Sequence, residues 1–496
     1  METVHEPRAV AAPETAAGLG HGKLTVLDVV AQSLGFIGPV FSAAFLLPSV
    51  AGLGATGKGA GVAPPIALLI ATIGISGVAW IISRYAKRIH AAGALYDYVT
   101  DGFGQRIGFL AGWIYYGGMT LLTLAIFPAF GGFLALTLLG NHDIDVGWWL
   151  IALAGVALVF GMTILGVQLS TRAQLVLALV SVAVVFGYAI YVIAKGGTAG
   201  NSADAFNPGS VSASSILYGL LYATLVFTGF ETAANLAEET ADPKRSIPRA
   251  VMSSVLVVGL FYVVVMYGLE AAFGFNMAAF LDLANFPPLY TSAATPGLGS
   301  SGFGELVQWL VVLDILAVAL GCANACSRGY FALARDRRLP SAFATIHPRL
   351  KTPWISALVL AVACAVLIVW TEASDGIVAG ADTDPGVWFR FFQFGATYGA
   401  LGLILVYLMI ALTGFKGQPG EHRGGLILAA VIGSAATIAA TFGTIYKAPS
   451  IYALDRVWWL TVIWIVIGAG VMAVLGSRGV FSGSTTAQTR AAKGDA

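Results

Sequence analysis

The sequence predicts an all-α integral membrane protein with twelve transmembrane helices. Of its 496 residues, 58% are hydrophobic and 10% are charged, whereas soluble domains carry about 25% charged residues. A helix needs about 20 mainly apolar residues to cross a bilayer, and twelve segments of the chain meet this requirement. These segments are 26–54, 63–84, 108–138, 147–168, 173–194, 213–238, 248–273, 305–334, 353–371, 388–413, 424–446 and 456–477.

The distribution of positive charge predicts how these helices are oriented. Cytoplasmic loops of membrane proteins are enriched in lysine and arginine. With the N-terminus placed inside, most of the 26 lysines and arginines lie on the cytoplasmic side. The exceptions are Lys58, Lys195, Arg390, Lys447 and Arg456. We therefore predict a multi-pass protein of the cell (plasma or inner) membrane with both termini in the cytoplasm.

The two ends of the chain and its overall charge narrow the class of protein further. Residues 1–23 and 479–496 are predicted to be disordered cytoplasmic tails on either side of a membrane domain of residues 24–478. The net charge of +1 argues against a nucleic-acid partner. No histidine lies in an apolar segment, and the three cysteines have no histidine partners there. We therefore expect no metal site, no disulfide framework and no cofactor.

The sixth apolar segment carries an acid at a depth where lipid should exclude one. It runs into the sequence VFTGFETAANLAEETADPKRSIPRA, residues 226–250, which contains Thr228, Gly229 and Glu231. An ionisable residue inside a membrane span indicates a functional site, and glycine is a poor helix former. A helix broken at this depth is tolerated where it lines a cavity. We therefore predict a broken helix with a transporter-like binding site at Phe227–Glu231.

The first apolar segment is predicted to be interrupted as well, at Gly38-Pro39. Proline removes a helical hydrogen bond and clashes with the preceding turn. Taken alone, this dipeptide is equally consistent with a kink in a packing helix. Breaks at corresponding places in two groups of five helices, however, indicate a site built on an inverted repeat.

Other polar and aromatic residues in the spans leave alternatives open. Asp314 in the eighth segment either couples an ion or proton, or pairs with a neighbouring helix. Trp113, Tyr115 and Tyr116 of the third segment either wall a cavity or pack against other helices. We expect Glu270, near the outer end of the seventh segment, to reach water. The long loop 274–304 is either a lid over an outer vestibule or a flexible connector.

Three motifs over residues 24–477 resemble the amino acid–polyamine–organocation superfamily of permeases. They are FTGFETAANLAEETADPKRSIPRA, HAAGALYDYVTDGFGQRIGFLAGW and NACSRGYFALARDRRLP. The resemblance implies a leucine-transporter-like 5+5 inverted repeat, residues 24–195 and 212–413, followed by two additional helices in 424–478. It also implies alternating access around a site formed by helices one, three, six, eight and ten.

Two positions depart from the pattern of that superfamily. Its first helix usually carries Gly-Ser-Gly, whose backbone amides hold the substrate carboxylate, where this chain has Phe41-Ser42-Ala43. Some relatives place a lysine in helix five, where this chain has Ser181. Sodium coupling, proton coupling through Glu231 or Asp314, and exchange without an ion therefore all stay open.

The hypothesis from the sequence is a secondary active symporter or exchanger for amino acids or related small amines. Freed amides would bind a carboxylate, and freed carbonyls with Thr228 or Glu231 would bind an ammonium group. The candidate binding residues are Gly38, Pro39, Ser42, Ala43, Phe227, Thr228, Gly229, Phe230 and Glu231, and the candidate coupling residues are Glu231, Asp314 and Ser181.

Other functions fit the sequence less well than this hypothesis. The alternative within transport is a polyamine or organic-cation carrier, which would need further acids in the cavity. A transport-like membrane sensor usually has an added soluble domain, and these tails are short. An enzyme is disfavoured because the spans contain no cluster of histidine, cysteine and aspartate. The expected partners are the lipid bilayer and a small molecule, and the sequence does not indicate an oligomeric state.

Overall fold

The structure, a computed structural model, describes residues 19, 22–52, 59–374, 378, 385–446 and 450–485. Most of the two predicted tails, residues 1–18, 20, 21 and 486–496, lies outside the described residues. Lys58 and Lys447, which entered the prediction of orientation, lie outside them as well.

Twelve helical segments of the described chain are long and apolar enough to cross a membrane, which confirms the predicted fold class. In chain order we call them the first to the twelfth span. Their bounds are Val26–Phe45, Pro64–Tyr85, Gln105–His142, Trp148–Leu165, Gln174–Lys195, Ala213–Glu239, Pro243–Ala272, Ser301–Arg335, Trp354–Ala373, Val387–Lys416, Arg423–Ile445 and Tyr452–Ser477.

The first span is broken where the sequence predicted it. One helix, Val26–Ile37, begins with a capping box at Thr25 and ends at Gly38, whose φ of 55° is left-handed. A second helix, Pro39–Phe45, starts immediately afterwards with proline at its first position. Because glycine tolerates a positive φ and proline cannot donate to the preceding turn, the two residues together end one helix and start another.

The sixth span is broken as well. Its helix Ala213–Leu225 ends before Gly229, which has a φ of 109°, and a 3₁₀ helix, Phe230–Glu239, completes the span. The two breaks touch, since a Cβ atom on Gly229 would lie 2.1 Å from Cδ1 of Phe36. The Ser33 hydroxyl fastens them together, because it donates to the Phe230 carbonyl over 2.8 Å.

The third, tenth and twelfth spans pack against one another. The tenth span lies so close to the third that a Cβ on Gly118 would stand 2.7 Å from the Gly399 carbonyl oxygen. In the twelfth span, Trp464 stacks on Trp113 of the third with ring centroids 4.5 Å apart. The α-helices of the fifth, tenth and twelfth spans run Val167–Lys195, Val387–Thr413 and Val457–Ser477. Four short α-helices lie outside the spans: Leu47–Ala51, Leu95–Phe103, Met277–Leu281 and Pro288–Ala294.

The end of the seventh span differs from the prediction. Glu270, expected to reach water, is fully buried, so that expectation was wrong. The chain after the fifth span covers this end, because the Thr198 amide donates to the Ala271 carbonyl over 3.1 Å. A Cβ on Gly197 would lie 2.0 Å from the same oxygen, so the covering turn packs without a gap.

Candidate substrate site

A small cavity lies between the two broken spans. The volume that the centres of water molecules can reach in it is about 40 Å³, which is room for a few waters in this conformation. The residues that line it are Phe36, Ile37, Phe41, Ser42, Leu46, Leu122, Ala125, Ile126, Leu225, Thr228, Val318, Cys322, Phe392 and Ala396. They come from the first, third, sixth, eighth and tenth spans, the five helices that the resemblance implied.

The structure separates the predicted binding residues into two groups. Ser42 and Thr228 line the cavity. The others are buried behind its wall and shape the breaks or pack around them. These are Gly38, Pro39, Ala43, Phe227, Gly229, Phe230 and Glu231. The lining residues of the third and tenth spans were not identified from the sequence, because apolar residues in an apolar span carry no distinguishing signal.

Glu231 is held by donors from three parts of the chain. The Tyr115 hydroxyl of the third span donates to it over 2.7 Å and the Tyr407 hydroxyl of the tenth span over 2.8 Å. The Gly229 amide donates to the same carboxylate over 3.2 Å. Buried carboxylates require such donors. Glu231 therefore ties the third and tenth spans to the break in the sixth, and Tyr407 is a partner that the sequence did not reveal.

Asp314 of the eighth span pairs with the first span, one of the two alternatives from the sequence. Its Oδ2 accepts hydrogen bonds from the backbone amides of Val40 and Phe41 over 2.9 and 2.8 Å. These are the amides that begin the helix after the break. A carboxylate of the protein thus already occupies the positive end of this half-helix, the place where the resemblance expects a substrate carboxylate.

The hydroxyl groups of the two candidate serines both donate to carbonyls of their own spans. The Ser42 hydroxyl donates to the Ile37 carbonyl across the break over 3.0 Å. The Ser181 hydroxyl of the fifth span donates to the Leu177 carbonyl of its own helix over 2.7 Å. Ser181 is fully buried beside Asp314, so these two candidate coupling residues lie together.

The aromatic residues at the start of the third span pack rather than wall the cavity. Trp113 donates to the Trp464 carbonyl over 3.0 Å. The Tyr116 hydroxyl donates to the Gly93 carbonyl and accepts from Asn235, over 3.0 and 2.9 Å. The packing alternative was correct for both, and the cavity wall of this span begins at Leu122.

Comparison with known proteins identifies the family. The family model described as amino acid permease matches residues 32–418, which include both breaks and all the lining residues. The chain belongs to the amino acid permease family.

Characterised and uncharacterised transporters are among the relatives of this permease. An uncharacterized transporter of Mycobacterium tuberculosis is 30% identical over 312 residues, 60% of this chain and 63% of the relative. The low-affinity putrescine importer PlaP of Escherichia coli is 26% identical over 313 residues, 62% of this chain and 66% of the importer. The mitochondrial cationic amino acid transporter 3 of Arabidopsis thaliana is 27% identical, over 63% of this chain and 52% of that protein. The matched part of the permease thus spans less than two thirds of these relatives.

Two ion pairs, one buried and one partly buried, join the sixth and eighth spans at the predicted cytoplasmic side of the permease. Arg328 Nε lies 2.6 Å from Glu239 Oε1, and Arg335 Nη2 lies 2.8 Å from Glu238 Oε1. Both pairs join the end of the sixth span to the eighth. The Ala92 amide also donates to Glu238 over 3.0 Å. This bond attaches the segment between the second and third spans to the same ion pairs.

Asp97 adds a titratable group to this closed side, outside the spans. Burial raises the pKa of the Asp97 carboxyl well above its usual range, and the nearby acids Asp336 and Glu238 raise it further. Arg335 acts in the opposite direction. The carboxyl of Asp97 therefore favours its neutral form more strongly than an exposed aspartate does.

Aromatic rings cover the opposite side of the cavity. Phe41 and Phe392 line the cavity with ring centroids 5.4 Å apart, and Phe45 packs on Phe392 at 5.7 Å. Phe286, from the loop 274–304, lies on Phe45 at 5.2 Å and on Phe389 at 5.0 Å. Part of this loop thus packs on the rings beside the cavity, and its role as a lid or as a connector stays a prediction.

Proposed function

We propose that this permease is a secondary active transporter of amino acids or related small amines, working by alternating access. The observation that carries the proposal is the cavity where both broken spans meet. A buried ion pair joins the sixth and eighth spans on one side of it, and aromatic rings pack together on the other. Broken helices that meet at a buried site are the arrangement by which secondary transporters bind a substrate in the membrane.

The contacts on the two sides of the cavity define which groups must separate during alternating access. Opening toward the cytoplasm separates the sixth span from the eighth, so the Arg328–Glu239 and Arg335–Glu238 pairs must part. Opening toward the outside moves Phe286 away from Phe45. We also propose that the protein lies in the cell membrane with both termini in the cytoplasm, because most lysines and arginines of the loops then lie on the cytoplasmic side.

The polar groups near the cavity suit an amine. Thr228 lines it, and its Oγ1 has no hydrogen-bond partner among the described residues. We place the substrate ammonium near this oxygen. Glu231 stands behind this part of the sixth span, and we propose that it carries a coupling proton or senses the occupied site through Tyr407. Sodium coupling and ion-independent exchange are outcomes of the test.

Transport by purified protein in proteoliposomes tests the proposal. Wild-type protein is expected to take up or exchange a labelled amino acid or amine, with a dependence on pH or sodium that identifies the coupling ion. Glu231→Gln is expected to abolish or uncouple this uptake while the protein stays folded. Glu270→Gln, a buried acid outside the cavity wall, is the matched control. Wild-type rates and pH dependence in Glu231→Gln would refute its role.

A native cysteine provides a second measurement that does not depend on transport. Cys322 lines the cavity and is 1% exposed. In a Cys326→Ala/Cys364→Ala background, a thiol reagent is expected to label Cys322 slowly. Because a bound substrate fills the cavity, it is expected to slow the labelling further. Labelling that no substrate affects would place the binding site elsewhere.

An organic-cation carrier is the second candidate function. The relative that imports putrescine favours it, since putrescine is a diamine. The presence of Asp314 at the break of the first span also favours it, because a fixed carboxylate attracts cations.

A further inference from the structure

The break in the first span offers no unused backbone donor to a substrate carboxylate. Pro39 has no N–H group, and the amides of Val40 and Phe41 both donate to Asp314. The next amide, that of Ser42, donates to the Gly38 carbonyl over 2.8 Å. A carboxylate buried without donors or a cation is strongly disfavoured, so one in the substrate would have to displace Asp314.

The backbone amides at the break in the sixth span also have acceptors within the protein. The Gly229 amide donates to Glu231, and the Thr228 and Phe230 amides donate to the Leu225 and Phe227 carbonyls. The broken spans therefore share a design, in which a buried acid of the protein accepts from the amides at each break.

The first break removes the usual helical donors of two carbonyls. In a regular helix the Gly35 and Phe36 carbonyls would accept from positions 39 and 40, but Pro39 has no N–H and the Val40 amide donates to Asp314. The helix ends Ile37 and Leu225, which carry partial negative charge, line the cavity. Two buried side-chain oxygens near the breaks, Thr228 Oγ1 and Asp314 Oδ1, have no hydrogen-bond partner among the described residues.

The rest of the cavity wall is apolar. None of the described lining residues is charged, and most are phenylalanine, leucine, isoleucine, valine or alanine. Such a wall favours one cationic group placed at the breaks and an apolar body beyond it. The wall provides no positively charged group to bind a carboxylate and no acid to bind the second ammonium group of a diamine.

We propose that the substrate is a primary monoamine with an apolar body and no carboxylate. Asp314 takes the place at the first break that a substrate carboxylate would otherwise fill, and the acceptors at the breaks receive the ammonium group. This inference rests on the proposed transport function and narrows its substrate class.

Matched pairs of amino acids and their decarboxylated amines test the inference. Leucine is compared with isoamylamine and phenylalanine with phenethylamine, and putrescine represents the diamines. The measurements are the unfolding temperature of the purified wild-type protein, the protection of Cys322 from a thiol reagent and uptake into proteoliposomes. Each monoamine is expected to bind at least about tenfold more tightly than its parent amino acid and to be the one transported.

The outcomes separate this inference from the proposed function. Equal or tighter binding and uptake of the amino acids would overturn the inference and leave the transport function standing. Tighter binding of putrescine than of either monoamine would overturn it in favour of a polyamine carrier. Absence of binding and uptake for every compound would overturn both proposals.

A variant tests the role of Asp314 directly. Asp314→Ala frees the amides of Val40 and Phe41, so a substrate carboxylate can bind there. The preference for monoamine over amino acid is expected to fall at least about tenfold. Glu270→Gln, the control, is expected to leave this preference unchanged. An unaltered preference in folded Asp314→Ala would refute the role, and if that variant does not fold, the wild-type pairs decide.

Discussion

Arg328 and Glu239 form an ion pair in which both side chains are almost completely shielded from solvent, with Nε and Oε1 2.6 Å apart. The pair joins the eighth span to the end of the sixth, on the predicted cytoplasmic side of the cavity. Arg328 also donates to the Asn324 carbonyl of its own helix over 3.3 Å. Because neither charge can reach water while the pair is formed, each depends on the other.

Removing one member of this pair is expected to destabilise the protein severely. Glu239→Gln leaves the Arg328 guanidinium buried without its counter-charge, and breaking a buried pair costs about 3–5 kcal/mol. The unfolding temperature in detergent is the measurement. Asp242→Asn is the control, because its pair with Arg245 is exposed and 3.9 Å long, and exposed pairs contribute about 0–1 kcal/mol. Equal effects of the two variants would contradict the prediction.

The two tyrosines that hold Glu231 are expected to contribute separately to stability. Tyr115→Phe and Tyr407→Phe each remove one hydroxyl donor from a buried carboxylate, a loss of about 1–3 kcal/mol. Tyr398→Phe is the control, since its hydroxyl bonds the Leu460 carbonyl at an exposed position. The unfolding temperatures of the three variants measure these losses of stability. A loss of stability in Tyr398→Phe as large as in the other two would contradict the prediction.

The glycines at the two breaks are expected to resist substitution. Alanine at position 38 requires a φ near 55° and places Cβ 2.1 Å from Val318 Cγ2. The left-handed conformation alone costs about 1–2 kcal/mol, and the contact adds to it. Gly161→Ala is the control, because its Cβ would have no neighbour within 4 Å and alanine favours a helix by about 1 kcal/mol. The recovery of folded protein after purification should fall for Gly38→Ala and not for Gly161→Ala.

Stability is expected to depend on pH through Asp97. Because the pKa of this carboxyl is raised in the folded protein, the folded state binds more protons than the unfolded chain above pH of about 4, and stability falls as the pH rises. Asp97→Asn removes this contribution. Its unfolding temperature should match that of the wild type at low pH and exceed it increasingly as the pH rises toward the raised pKa. A constant difference at every pH would refute the assignment.

Much of the architecture could be predicted from the sequence, because it follows from local composition. The length and hydropathy of each span and the breaks at Gly38-Pro39 and Gly229 depend on residues that are close together in the chain. The site was harder to predict. Trp113 and Tyr115 have the residue types of a cavity wall, yet one stacks on Trp464 and the other bonds Glu231. Which face of an apolar helix meets a cavity depends on neighbours that lie far away in sequence.

The sequence by itself determined the membrane fold, the two broken helices and the presence of buried acids, since each follows from the cost of placing polar groups in lipid. The tertiary structure alone decided what those acids do. Asp314 and the Val40 amide are separated by 274 residues, and no local pattern predicts that they bond. That contact assigns the positive end of the broken first span to an acid of the protein. Hydrogen bonds of this kind act over about 3 Å, so the packing of the helices selects the partners.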